Sequence, residues 1–165
     1  MAIPDFSKVV LGVRFPLLAI ILGAELLWYY MTTFALLFTL SAIGVSETVY
    51  LIRKRIALEQ PVCPIGEHCA LVLTSAYSKI FIIPNDVLGL LFYIAASFIA
   101  AFLVIGVEPL AFWNNIFKLS IAIAALLSLF FTYLQWRVIR AWCFWCLMSA
   151  GTIWLMGLIL LIHNL

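Results

Sequence analysis

"RVIRAWCFWCLMSAGTIWLMGLILLIH", Arg137 to His163, is the stretch on which the fold of this chain turns. Cys143 and Cys146 stand three positions apart at the start of an apolar run of about 20 residues, the length that crosses a hydrocarbon core. Residues at i and i+3 share one face of a helix. The first turn of a helix offers unpaired N–H groups and the positive end of the dipole, both of which stabilise a thiolate. Arg137 and Arg140 add positive charge just before the pair. The motif therefore sits at the lip of a membrane span, in surroundings that favour a nucleophilic sulfur. Taken alone, such a pair is open to redox chemistry, metal ligation or plain apolar packing.

The rest of the chain is equally apolar. Of 165 residues, 67% are hydrophobic and 10% charged, with a mean hydropathy of +1.24. Soluble domains hold about 45–50% apolar and about 25% charged residues, so the solvent here is largely lipid. A net charge of +2 with scattered Lys and Arg gives no footprint for nucleic acid. Further spans are predicted at Ile80–Gly106 and Phe112–Trp136, with Ala141–Ile162 the last. From Phe15 to Ile52 only Glu25 and Glu47 interrupt the apolar run, which is too long for one perpendicular helix. It is read as two spans, roughly 15–30 and 31–52; one tilted span after an interfacial helix is the alternative. No small-residue cleavage site follows, so a signal peptide is not expected. The fold class is thus an all-α integral membrane protein. Residues 31–165 form a four-helix transmembrane bundle with a polar loop at 53–79, and residues 1–30 an extension with an extra N-terminal helix. Trp28, Tyr29, Tyr30, Trp113, Trp136 and Trp142 fall near span ends, as an interfacial aromatic belt would.

The loop carries the other two cysteines, Cys63 and Cys69. Two crossings separate it from Cys143, and two crossings return a chain to its starting side. All four thiols therefore face one aqueous boundary, however many helices come before. A second pair on the same side favours redox chemistry over packing. A zinc site built from four cysteines, with His68 nearby, is the rival; the five residues between Cys63 and Cys69 exceed the usual knuckle spacing. No metal is expected, and His68 is read as a solvated loop residue.

In combination, "VCPIGEHC" (Val62–Cys69), Ser75, "NDVLGLLFY" (Asn85–Tyr93), "CFWC" and "GVSETVY" (Gly44–Tyr50) resemble the vitamin K epoxide reductase family in its short microbial members. The likeness runs from about Ala42 to Gly157. The other membrane disulfide-generating family carries its Cys-x-x-Cys in the earlier loop, which argues against it. The resemblance implies a helix bundle around a quinone of ubiquinone or menaquinone type, serving a thioredoxin-like partner protein. By the same resemblance Cys146 reacts with the quinone, Cys143 exchanges with Cys69, and Cys63 meets the partner. Asn85 is expected to bond a quinone carbonyl, and Ser75 to support that site. Where the vertebrate enzyme has a tyrosine this chain has Ala150, which favours a plain quinone over vitamin K epoxide. The expected activity is a membrane thiol oxidase that generates protein disulfides. A thiol-driven quinone or epoxide reductase and a zinc-stapled structural subunit are the alternatives.

Four further expectations come from the residues. Asn85 is either a functional polar group in lipid or a helix cap after Pro84. Asp86 is a first-turn dipole partner. Glu25 and Glu47 pair with nearby cations. Tyr77 lines or anchors the seam between loop and bundle. Arg53, Lys54, Arg55, Lys79, Arg137 and Arg140 lie on the cysteine side, against Lys118 opposite. With five spans Lys8 and Arg14 join the cysteine side. The positive-inside rule then turns that face to the cytoplasm, whereas family habit puts it outside.

Overall fold

The computed structural model describes the backbone of residues 6–64, 69–80 and 82–162, and within them the side chains of Trp28 and of residues 31 onward. The chain divides into two units, Met1–Thr33 and Phe34–Leu165. The helices are α1 (Phe6–Ile56), α2 (Cys69–Thr74), α3 (Asn85–Ile105), α4 (Leu110–Tyr133) and α5 (Phe144–Ile162). A two-residue hairpin, β1 (Lys79–Ile80) with β2 (Ile83–Pro84), leads into α3. A π-helical turn, Leu134–Ile139, follows α4.

Among the described residues four stretches are long and apolar enough to cross a membrane: Met31–Ile56, Asn85–Ile105, Leu110–Ile139 and Phe144–Ile162. The last three coincide with the spans expected from the sequence. The helical assignment of α1 runs unbroken past the turn expected near residue 30. The separate crossing expected over about 15–30 lies outside the residues whose side chains are described.

Within the second unit the helices pack through small and aromatic residues. α3 lies against α4, and α4 against α5. Phe34 of α1 meets Phe117 of α4 at 6.4 Å between ring centres, both fully buried. Tyr93 of α3 is also fully enclosed, with its ring against Gly44 of α1 where any Cβ would collide. Its hydroxyl donates to the Ser149 carbonyl of α5 at 2.9 Å and lies 2.9 Å from the Ser149 hydroxyl. A phenol in lipid needs such a partner, because an unmet O–H there is costly. Large apolar side chains such as Phe98, Leu126 and Leu161 point outward, as a lipid-facing surface requires. Of the tryptophans expected near span ends, Trp28, Trp136 and Trp142 are exposed, whereas the Trp113 Nε1–H is buried without a hydrogen-bond partner.

α3 stops at Gly106, whose φ of 79° is left-handed, with its N–H and that of Val107 both returning to Phe102 O at 3.0 Å. Glycine suits that position because it has no Cβ to clash. The expected pairing of Glu47 with a cation is not found. Its Oε2 is buried without a hydrogen-bond partner, and among the described residues the ion pairs are Lys54–Glu59 and Arg55–Asp86. Glu25 lies outside the described side chains.

Candidate functional site

All four cysteines meet at one end of the bundle. Cys69, Val72, Ala141 and Cys143 form a buried cluster, with Cys63, Cys146, Trp145 and Phe144 packed against it. Cys63 and Cys69 are joined by a disulfide, their Cα atoms 6.4 Å apart; Cys143 and Cys146 are free thiols. The return of the chain after two crossings, inferred from span counting, is what brings these segments together.

The inner pair is built by the entry to α5. Cys143 precedes the first helical residue, and its carbonyl accepts the Leu147 N–H at 3.0 Å. Its Sγ accepts the Cys146 N–H at 3.4 Å, the geometry of a capping side chain. The Cys143 thiol is held below the usual thiol range, first by the hydrogen bond from the Cys146 thiol and then by the backbone N–H groups of Cys146 and Trp145; burial opposes this. Of the two sulfurs at this helix start, Cys143 is the one whose ionisation is favoured. It is fully buried, while Cys146 is half-buried.

Gln135 of the π-helical turn positions Cys143. Its carbonyl accepts N–H groups from Arg140 and Ala141, and its side-chain Oε1 accepts the Cys143 N–H at 3.0 Å. Arg140 sits in the left-handed region, φ 55°, which costs a non-glycine residue about 1 kcal/mol. Three N–H groups received by one residue offset that cost. Sequence reading did not single out Gln135. The available signal was an amide at the foot of an apolar span.

Asn85 is the first residue of α3, with Pro84 at the cap position, so the capping alternative is not what the structure shows. Its Nδ2 donates to the Tyr77 carbonyl at 2.9 Å, and its Oδ1 is buried without a partner. Asp86 lies in the first turn of α3, as expected. Its side chain pairs with Arg55 at 2.8 Å and lies within electrostatic reach of Cys146. The cation cluster was read only for topology, and this role of Arg55 was missed. Ser75 closes α2: its hydroxyl donates to Val72 O at 2.8 Å, and its carbonyl accepts the Ser78 N–H at 3.0 Å. Tyr77 is exposed, and its backbone rather than its ring ties the seam. His68 lies outside the described residues.

Transmembrane helices that gather two cysteine pairs at one end define a class, the membrane thiol–disulfide oxidoreductases. The model described as the vitamin K epoxide reductase family matches residues 35–162, most of the chain, and the chain belongs to that family. It extends beyond the Ala42–Gly157 likeness at both ends. Members of this family act on thiols and quinones. No curated protein matches the chain.

Proposed function

We propose that this protein is a quinone-dependent thiol oxidase, which makes disulfides in a thioredoxin-like partner at the membrane boundary. The observation that carries the reading is one buried cluster holding an outer pair as a disulfide and an inner pair as thiols. Such a cluster lets electrons pass from the outer pair to the inner one by thiol–disulfide exchange. A partner thiolate attacks Cys63, Cys69 leaves, and the partner's second thiol releases Cys63 as the partner becomes oxidised. Cys69 then attacks Cys143 of an inner disulfide, freeing Cys146. Cys63 resolves the Cys69–Cys143 bond and expels Cys143. A thiol of lowered pKa leaves faster, which suits Cys143 to this step. Two electrons and two protons then rest on Cys143 and Cys146.

A bound quinone supplies a lipid-soluble acceptor for two electrons and two protons. The residues present fit one. The Asn85 amide has two N–H donors, of which Tyr77 O takes one, and an oxygen with no partner. The free donor suits a carbonyl and the orphaned acceptor suits a hydroxyl, so one side chain matches both oxidation states. Cys146 is the sulfur assigned to hand electrons over, Asp86 stands near it, and Ser75 supports the site by closing α2. Ala150 is enclosed and offers no hydroxyl, consistent with a plain quinone of ubiquinone or menaquinone type.

Quinone reduction by purified protein, driven by a reduced thioredoxin-like protein, tests this reading. Each Cys→Ala variant is expected to abolish it, whereas turnover retained without Cys146 would remove that residue from its role. The six Lys and Arg on the cysteine side support a cytoplasm-facing site. Rapid labelling of Cys63 by an impermeant maleimide in intact, reductant-treated cells would reverse that orientation.

A further inference from the structure

Val62, the residue before the outer cysteine, has an exposed side chain and a peptide group held on both sides. Its N–H donates to the Tyr50 hydroxyl at 3.1 Å, and its carbonyl accepts the Trp145 Nε1–H at 2.9 Å. The Tyr50 and Trp145 rings lie together, 4.5 Å between centres at 37°. Three segments are closed into one ring of contacts: the end of α1, the loop, and α5. Trp145 stands inside the inner motif, between Cys143 and Cys146. One side chain of the inner motif thus grips the chain beside the outer pair, across 83 positions of sequence.

We infer that Tyr50 and Trp145 are positioning residues, which clamp the Val62 peptide and thereby set the reach between the outer and inner sulfur pairs. Among the described residues the loop is also held near its cysteines by Cys69 and Val72, the small buried face of α2, and by Cys63 packed against them. Disulfide exchange needs two sulfurs in a narrow range of distance and angle. A loop free to swing would present Cys69 at a lower effective concentration to Cys143. The clamp takes hold of the backbone, so it fixes the chain path and leaves the side chain at 62 free to face a partner.

This inference rests on the exchange step proposed above, and its test is read without quinone. The chain has four cysteines, so C63S with C146S leaves only Cys69 and Cys143. In a glutathione buffer these two thiols form an intramolecular disulfide while one oxidised glutathione becomes two reduced molecules. The equilibrium constant measures their effective concentration. W145F keeps a ring against Tyr50 and deletes the N–H; Y50F keeps the ring and deletes the hydroxyl. Each is expected to lower the constant roughly threefold to tenfold, the range of one net hydrogen bond. With C63S and C69S instead, the constant for Cys143–Cys146 is expected to stay unchanged. An unaltered Cys69–Cys143 constant in both variants, or an equal fall for the inner pair, would overturn the clamp. Wild-type protein inert towards quinone, with the constants shifting as stated, would refute the oxidase reading and leave the clamp standing.

Discussion

Gln135 accepts the backbone N–H of Cys143 through its side-chain oxygen, 3.0 Å away, while its own carbonyl takes the N–H groups of Arg140 and Ala141. The amide is buried, and so is the cysteine it holds. Deleting a buried acceptor strands the donor, which costs about 1–3 kcal/mol. Gln135→Leu should therefore lower the thermal midpoint of the detergent-solubilised protein clearly, and Gln135→Glu, which keeps an acceptor oxygen, should lower it less. Equal midpoints for the two variants would contradict this role.

The Cys146 thiol that donates to Cys143 holds its ionisation below that of an ordinary thiol. In a C63A/C69A background, thiolate absorbance is expected to show a first titration that moves up in C146A, which lacks the donating thiol. A depressed folded pKa gives stability that is present above the unfolded value and lost as pH falls through the folded one. The reduced protein should accordingly gain stability as pH rises towards the ordinary thiol range, and C143A should flatten that dependence.

Arg55 and Asp86 join α1 to α3, with the arginine half exposed and the carboxylate enclosed. Solvent screening limits such a pair to about 0.5–1 kcal/mol. A double-mutant cycle with Arg55→Met and Asp86→Asn should return a coupling of that size in low salt. Arg55→Met alone should cost more than the double variant, because it leaves a buried charge unpaired. A double variant no better than the sum of the two singles would sever this link.

Gly44 gives the Tyr93 ring its place. Gly44→Ala should destabilise the bundle by about 1–3 kcal/mol through overpacking. The additional change Tyr93→Leu should recover part of that loss; no recovery would place the damage elsewhere.

The spans were legible because hydropathy in lipid is a one-dimensional signal: α3, α4 and α5 fall where the apolar runs do. The shared side of the cysteines was legible by counting crossings. The contacts between segments were not. "CFWC" announces its sulfurs, yet nothing in it says that Trp145 reaches back to Val62, 83 positions away. Asp86 was legible as a first-turn acid; that its partner would be Arg55 was not, because the cations at the end of α1 look alike in sequence. Asn85 has two readings in sequence, and only the backbone shows Pro84 in the cap position and the amide turned to Tyr77.

The complete enclosure of Cys143 has a consequence for electrical leakage. Peroxide and other dissolved oxidants must touch a sulfur to draw current from it, so they reach this one only through a partner sulfur or a transient opening of its surroundings. Its neighbours act as insulation around a terminal.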